Sequence, residues 1–389
     1  MNIPLTRPLF GDDERAAVQL PIESGWVVQG PQVKQFEDRF ASFVGARHAV
    51  ATTSCTTALH LAMAAMELTP GDEVIVPAFT WVSTANVVEV MRARPVFCDV
   101  DLATFNVDVE RVACCVSART VGVIPVHLFG LCAPMQPILH FARAHHLWVV
   151  EDAACGFGAY DGGQHAGTFG DAGCFSFHPR KAITTGEGGM LVTAEDRLDT
   201  LARSLRDHGA MATDYERHQS GSVLLSSYPR LGYNYRMTDI QGALGCAQLA
   251  RADWILSKRR RLAARYDNAL RELPWITTPA TPDGMVHGYQ AYVCLFRPEE
   301  PCLNNVERLF NWRNELMRRL EESGVATRQG THAACFQDYY QGKYRLAPGD
   351  FPNAYLAERL TLTLPLYPQM TNEEQDYVVD MLAKCFSSF

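Results

Sequence analysis

The sequence lacks long hydrophobic runs, and this absence predicts that the chain has no transmembrane helix. No stretch approaches the roughly 18 uninterrupted apolar residues that a transmembrane helix needs. The chain also reaches Asp12, Asp13 and Glu14 without passing through an apolar segment, so no secretory signal peptide is predicted. We therefore expect a protein that does not insert into a membrane and that works in the cytoplasm.

Basic residues and paired cysteines are also scarce. Lys and Arg together number 35 against 43 Asp and Glu, an acidic balance that disfavours nucleic acid as a main partner. None of the twelve cysteines forms a CxxC motif, and His140, His145 and His146 have no carboxylate or thiol beside them at metal-ligand spacing. We therefore predict no metal site, and cysteines that stay reduced and buried.

What the sequence does contain is an alternation of short apolar runs and helical patterns. Over the first two thirds of the chain, strands are predicted at residues 48–52, 74–76, 96–100, 121–126, 147–150, 175–177 and 190–193. Strands separated by helices indicate an α/β fold with a mostly parallel sheet. Because the pattern changes after about Thr238, we predict a large α/β domain over residues 1–250 and a smaller C-terminal α+β domain over residues 251–389.

Helix boundaries are signalled in several places. Pro31 opens a helix with apolar residues at helical spacing, and residues 239–273 have the pattern of one long helix. Gly324 suits the left-handed position that ends a helix, and Thr371 with Glu374 forms a capping box that begins one. These signals place the helices that surround the predicted sheet.

Two reactive side chains follow predicted strands. Asp152 comes directly after the apolar run that ends at Val150, and Lys181 lies in a tight Thr/Gly-rich turn after the strand at 175–177. Each has an ordinary interpretation, as a structural carboxylate and as a surface charge. Together they match pyridoxal phosphate (PLP), which needs an amine to form a Schiff base with its aldehyde and a carboxylate for its ring nitrogen.

The same cofactor also needs an anion site and a group on its ring face. Residues 52–63 place hydroxyls and free backbone N–H groups at a predicted helix N-terminus, which is a ready anion site. Ser176 adds a hydroxyl near Lys181, and Trp81 follows a strand end, where its indole could stack on a pyridine ring. Each feature is common by itself, but their combination favours a PLP site.

In this order, the motifs resemble the DegT/DnrJ/EryC1/StrS family of PLP-dependent sugar aminotransferases over nearly the whole chain. The matching blocks are SGWVVQGPQVKQFE (24–37), EDAACGFGA (151–159), FSFHPRKAITTGEGG (175–189), GYNYRMTDIQGALG (232–245) and LPLYPQMT (364–371). The resemblance implies the type I fold of aspartate aminotransferase. Because the aligned position is Lys181 and not His, the resemblance also argues against the dehydratases among the relatives.

The resemblance further implies a role for each cofactor residue. Lys181 would bind the aldehyde and then act as general acid and base, Asp152 would pair with the ring nitrogen, and Trp81 would stack on the ring. The backbone amides of Thr56 and Thr57, with Ser176, would hold the phosphate. Asn234 would reach the phosphate of a partner subunit, which implies an obligate homodimer.

Substrate residues are implied less directly. Trp26, in the loop 26–30, and the stretch 324–333 lie where relatives meet a sugar nucleotide. Arg328 is expected to bind a negative group and His332 a sugar hydroxyl or phosphate, with a purely structural role in the smaller domain as the open alternative. The chain departs from the family pattern at Cys155, where relatives carry Gln or His near the ring, at Cys55, and at Ala182.

The function implied is transfer of an amino group from glutamate to a ketone of a nucleotide-linked deoxysugar. Two alternatives stay open at this point. One is a PLP aminotransferase that acts on a keto-cyclitol or another non-sugar ring, and the other is a catalytically silent regulator with the same fold. The retention of Lys181, Asp152 and Ser176 disfavours the silent regulator.

Overall fold

A mixed β-sheet forms the centre of the molecule in the computed structural model, which describes residues 1–212 and 226–387. Within these residues its seven strands are β1 (His48–Thr52), β2 (Glu73–Pro77), β3 (Arg94–Cys98), β4 (Thr120–Val123), β5 (Trp148–Asp152), β8 (Ala172–Ser176) and β9 (Gly189–Thr193). They lie in the order β1-β9-β8-β5-β4-β2-β3. Strand β9 is antiparallel to both neighbours, and the other pairs are parallel. The prediction of an α/β fold with a mostly parallel sheet is confirmed.

Helices connect the successive strands from β1 to β5. The helices in the first part of the chain are α1 (Asp12–Ser24), α2 (Pro31–Val44), α3 (Cys55–Ala65), α4 (Ser83–Val90), α5 (Val109–Cys114), α6 (Met135–Ala144) and α7 (Asp196–Arg206). Helix α2 shows why these segments form: Pro31 occupies its first turn, while Val33, Phe36 and Phe40 are buried on one face.

The remaining helices are α8 (Asp239–Ala250), α9 (Ala252–Ala269), α10 (Val306–Glu322), α11 (Asp338–Tyr344), α12 (Pro352–Leu360) and α13 (Asn372–Ser387). The prediction of one helix over residues 239–273 is wrong, because the segment divides into α8 and α9 at Arg251. Helix α8 packs against α1 and α2, and α9 shares their apolar cluster through Ile255 and Leu256 before it buries Leu262 and Tyr266 in a second one. No glycine or proline stands at the break, so the helical pattern of the sequence runs through it.

A second, antiparallel sheet lies in the C-terminal part. Its strands are β12 (Tyr292–Phe296), flanked by β10 (Ile276–Thr277) and β13 (Thr361–Leu364), and it shares an apolar core with α9, α10 and α13. Ile3, from the N-terminus, is fully buried in this core and pairs with Val325. Because β12 and α12 also contribute to the core of the large sheet, the division at residue 250 stays a prediction.

A third, small sheet joins β7 (Gln164–His165) and β11 (Met285–Val286) to β6 (Tyr160–Asp161) between them. It therefore links the segment after β5 to the C-terminal part of the chain. Of the helices in the described ranges, none combines the length and the apolar composition needed to span a bilayer.

Candidate active site

A cavity of about 430 Å³ lies at the carboxyl ends of β2, β4, β5 and β8. Ligands bind at this edge in open α/β sheets, because the loops there converge on the strand ends. Nine separate segments of the chain line it, and five of them contribute the residues predicted from sequence, which are Thr56, Trp81, Asp152, Cys155, Ser176, Lys181 and Arg328. The fold therefore brings most of the predicted site together in one place.

Lys181 lies in the turn that follows β8 and is half-buried. Its backbone N–H donates to the His178 carbonyl at 2.8 Å, which holds the turn closed. Its Nζ donates to Cys155 Sγ at 3.1 Å. The amine therefore points into the cavity beside the residue at which this chain departs from the family pattern.

Asp152 is the last residue of β5 and only 3% exposed. Its Oδ2 accepts a hydrogen bond from Thr84 Oγ1 at 2.7 Å, and its Oδ1 accepts one from the Ala154 N–H at 3.1 Å. Burial raises the pKa of this carboxyl, while the two hydrogen bonds and the Lys181 and His127 side chains act in the opposite direction. A carboxylate so placed is suited to pair with a cation inside the cavity.

The N-terminus of α3 is the candidate anion site. Ser54 caps the helix, and its Oγ accepts the Thr57 N–H at 3.2 Å. Thr57 does not line the cavity, and since its N–H is engaged by the cap, the phosphate interpretation rests on Thr56 and Ser176. Gly189 lies so close that a Cβ there would be 2.3 Å from the Ser54 carbonyl carbon, so only glycine allows β9 this approach.

Trp81 lines the cavity and is 55% exposed. Its ring centroid lies 5.8 Å from that of His332, at 46° between planes. His332 itself does not line the cavity; its Nδ1 lies 3.6 Å from Glu358 Oε1. Trp81 therefore forms part of the cavity wall, and His332 packs behind it, outside the lining.

Arg328 lines the cavity with much of its charge unneutralised. Its Nε and Nη2 donate to the Gln329 and Gly330 carbonyls at 3.1 Å, which fixes the guanidinium without a carboxylate. Burial and the neighbouring Arg180 lower the pKa of Arg328. In the described ranges, neither Arg180 nor Arg328 has a carboxylate within 4.0 Å. These two guanidinium groups of the cavity lining therefore have no ion-pair partner there.

Two other predicted residues lie outside the cavity of this chain. Asn234 is exposed and pairs with Asp207 through the backbone. Trp26 is half-buried, and its Nε1 donates to the Gln29 carbonyl at 3.1 Å. Neither position tests the prediction that Asn234 serves a partner subunit.

Sequence reasoning missed Thr80 and Thr84. Thr80 lines the cavity, and Thr84 holds Asp152 from behind. The available signal was their spacing of four residues beside Trp81, which places two hydroxyls on one face of a helical turn. Hydroxyls at that spacing are common in helices, so the pattern alone does not single them out.

Metal chemistry has no site in the part of the chain that the structure covers. Across residues 1–212 and 226–387, no three His, Cys, Asp or Glu side chains are grouped so that they could hold a metal ion.

The sequence profile of the DegT/DnrJ/EryC1/StrS aminotransferase family matches residues 8–383. The chain belongs to this family. The aminotransferase is 38% identical over 379 residues to the spore coat polysaccharide biosynthesis protein SpsC of Bacillus subtilis (strain 168), with 97% of this chain and 95% of SpsC covered.

Solved structures show the same fold. The aminotransferase TlmJ from Streptoalloteichus hindustanus is 30% identical, with a TM-score of 0.89 and 99% of each chain covered. Spr1654 from Streptococcus pneumoniae, in its PLP form, is 26% identical, with a TM-score of 0.90 and coverage of 100% of this chain and 99% of that one. The predicted family, type I fold and enzyme class are confirmed, and the cofactor of the aminotransferase is pyridoxal phosphate.

The residues present fit this cofactor. An amine, a buried carboxylate and free N–H groups at a helix N-terminus converge on one cavity, and these are the groups that an aldehyde, a ring nitrogen and a phosphate require. Among the described residues, the Thr56 N–H and the Ser176 hydroxyl donate no hydrogen bond within the protein, so both are available to an anion.

Proposed function

We propose that this aminotransferase transfers an amino group from glutamate to a ketone of a nucleotide-linked deoxysugar. The observation that carries the proposal is that one cavity contains Lys181 and Asp152 together with two arginines, Arg180 and Arg328, which have no carboxylate partner in the described ranges. The similarity to SpsC, a protein named for polysaccharide biosynthesis, supports a sugar substrate. Polysaccharides are assembled from nucleotide-activated sugars, which favours a nucleotide-linked one.

The bound cofactor supplies an aldehyde that captures amines and a ring that takes up electrons from the substrate carbon. Lys181 Nζ would bind that aldehyde and would act as the general base and acid that moves the substrate proton. Asp152 would hold a proton at the ring nitrogen. Thr56 and Ser176 would hold the phosphate, and Trp81 and Cys155 would pack against the ring.

Both substrates of this reaction are anions, glutamate through its carboxylates and the sugar nucleotide through its phosphates. Arg180 and Arg328 are cations on the cavity wall without a carboxylate partner in the described ranges. We assign Arg328 to a substrate carboxylate or phosphate, with His332 and the loop of Trp26 beside the sugar. Because donor and acceptor use the same cavity in turn, one pair of guanidinium groups can serve both.

We also propose a cytoplasmic homodimer with a shared active site. Asn234 is exposed, and large apolar side chains near it in the chain, Tyr228 and Leu231, are 57% and 85% exposed. Exposed apolar side chains of this size favour an interface. A partner subunit covering this surface would bring its own Asn234 toward the cavity.

A screen of half-reactions tests the substrate. The holoenzyme is converted with glutamate to its pyridoxamine form, and the return of the absorbance of the resting enzyme is followed after keto compounds are added. Nucleotide-linked keto-sugars should restore it within seconds, and keto-cyclitols should not. Restoration by a keto-cyclitol alone would assign the enzyme to a non-sugar ring, and failure of glutamate in the first step, with success of glutamine, would change the donor.

A further inference from the structure

Two threonine hydroxyls lie in line behind Asp152. Thr84 Oγ1 is 2.7 Å from Asp152 Oδ2, and Thr80 Oγ1 is 3.1 Å from Thr84 Oγ1. All three side chains are buried, with 3% of Asp152, none of Thr84 and 1% of Thr80 exposed. The hydroxyls therefore interact with Asp152 without competition from bulk water.

The direction of these hydrogen bonds follows from counting protons. An ionised carboxylate only accepts, so Thr84 donates its single hydroxyl proton to Asp152. The contact between the threonines must then have Thr80 as the donor. With the Ala154 N–H on Oδ1, each carboxylate oxygen has one protein donor and keeps a lone pair for a group in the cavity.

Thr80 also connects these hydroxyls to the C-terminal part of the chain. Its backbone N–H donates to the His332 carbonyl at 3.1 Å, and Phe79 forms a bridge with Ala333. The stretch that contains Arg328 and His332, which we assign to the substrate, is therefore attached to the same turn that carries the two threonine hydroxyls.

The charge state of Asp152 depends on everything that faces it. Burial raises its pKa, and the Thr84 hydroxyl is the first of the influences that lower it, ahead of the Ala154 N–H, Lys181 and His127. The Cys55 and Cys174 thiols, whose own pKa values burial raises, also lie close to this carboxylate. Of the other groups that lower this pKa, Ala154 contributes a backbone N–H, the Lys181 amine is hydrogen-bonded to Cys155, and His127 is hydrogen-bonded to Glu151. Among the described residues, Thr84 is therefore the one side chain that donates a hydrogen bond to Asp152.

We propose that Thr84, supported by Thr80, is a positioning residue that keeps Asp152 ionised and aimed at the ring nitrogen of the bound cofactor. The inference rests on the role proposed above for Asp152. In this arrangement the Thr84 hydroxyl helps to keep the charge of a carboxylate whose ionisation burial opposes.

Thr84→Val, Thr84→Ser and Thr80→Val test the proposal in the holoenzyme. Loss of one hydrogen bond to a charged group should slow the half-reaction with glutamate about 10- to 100-fold in Thr84→Val. Thr84→Ser should restore the rate, and Thr80→Val should show a smaller loss. Thr193→Val is the matched control, because Thr193 is also buried and its hydroxyl donates to the Asp171 carbonyl at 2.7 Å, outside the cavity.

The second measurement is the absorbance of the bound cofactor against pH, with thermal unfolding to check the fold. Without the Thr84 hydroxyl the pKa of Asp152 rises further, so its carboxylate is lost at higher pH. The acid-side spectral change and the acid limb of the rate profile should therefore both move to higher pH in Thr84→Val, and stay in place in Thr193→Val.

Asp152→Asn distinguishes a failure of the inference about Thr84 from a failure of the role proposed for Asp152. If it loses activity and Thr84→Val matches Thr193→Val in rate and spectrum, Thr84 has no positioning role, while the proposed function stands. If Asp152→Asn itself keeps the wild-type rate and spectrum, the role of Asp152 is wrong and the inference falls with it. Loss in both variants with recovery in Thr84→Ser supports the proposal.

Discussion

At the residue scale, Asp152 and Lys181 owe their suitability to different surroundings. Asp152 is buried at a strand end and held by two donors, whereas Lys181 is half-buried and in contact with a thiol. A carboxylate in such a place would cost several kcal/mol without partners. The carboxylate therefore needs preformed donors, and the amine needs only access to the cavity.

Replacement of Lys181 by alanine should abolish turnover and still allow the cofactor to bind. The groups at the N-terminus of α3 stay in place, but the amine that carries the proton is gone, so we expect a loss of at least about 10³-fold in rate. Stopped-flow absorbance with glutamate measures it. Lys34→Ala, at an exposed ion pair with Asp38, is the control and should behave like the wild type. Near-normal turnover in Lys181→Ala would refute the assigned mechanism.

Cys155 should be protected by the cofactor. Its half-buried thiol lines the cavity, whereas Cys114 and Cys302 are exposed on the outer surface. Iodoacetamide should therefore label Cys155 in the cofactor-free chain at least about tenfold faster than in the holoenzyme, since reaction requires access. Peptide mass spectrometry gives the rates, with Cys114 and Cys302 as internal references whose labelling should not change. Equal labelling of Cys155 in both forms would mean that the cofactor lies elsewhere.

At the element scale, the N-terminus of α3 depends on the close approach of β9. A Cβ at Gly189 would lie 2.3 Å from the Ser54 carbonyl carbon and 2.5 Å from the Cys55 nitrogen, which are backbone atoms that cannot turn aside. Gly189→Ala should therefore displace the anion site, weaken cofactor binding about tenfold and destabilise the fold by about 1–3 kcal/mol. Gly349→Ala is the control, because nothing lies within 4 Å of its Cβ position. Fluorescence titration with the cofactor and thermal unfolding measure both effects, and wild-type affinity in Gly189→Ala would contradict this account.

A buried ion network joins α2, α7 and β1. Glu37 accepts from Arg206 Nη1 at 2.5 Å, from Arg203 Nη1 at 2.8 Å and from the Ala51 N–H at 2.8 Å. Burial opposes ionisation of Glu37, but the two arginines outweigh it, and the net effect lowers its pKa from the ordinary 4.5. The folded state therefore binds this proton less readily than the unfolded state does.

Because the folded-state pKa is lowered, the stabilisation is present above about pH 4.5 and is lost as the pH falls through the folded value. Glu37→Gln should reduce the free energy of unfolding by about 3 kcal/mol at neutral pH, since it leaves the buried Arg206 guanidinium without its anion, whereas the half-buried Arg203 keeps Asp199. The difference from wild type should shrink in acid. Urea unfolding against pH measures it, with Asp38→Asn on the exposed face of α2 as the control; a difference that does not depend on pH would exclude the charge as its cause.

At the scale of the whole molecule, the proposed shared site makes a prediction about mixtures. Lys181→Ala and Asn234→Ala chains should each be inactive or weakened as separate homodimers. After they are mixed, unfolded and refolded together, each heterodimer contains one site with both native residues. About one quarter of all sites should then regain activity, as the symmetry of a two-fold dimer requires. Steady-state rates and size-exclusion chromatography check it, and a mixture that shows no recovery while forming dimers would remove Asn234 from the partner's site.

Local backbone signals in the sequence predicted the elements well. The capping box at Thr371 and Glu374 forms as expected, and Gly324 adopts a positive φ of 76° at the end of α10. Such signals are readable because they involve neighbours in the chain. The single helix predicted over residues 239–273 was wrong, because one helix ends at Ala250 and the next begins at Ala252, with no glycine or proline to signal the break.

The sequence by itself determined the class of the enzyme, because the order of its motifs and the identities of Lys181 and Asp152 survive in the linear chain. Only the tertiary structure decided which groups surround them. Thr84 meets Asp152 across 68 positions of sequence, and Arg328 faces the cavity beside Arg180. A hydrogen bond or a charge pair between distant segments depends on how helices and strands pack, and periodicity along one segment carries no information about that packing.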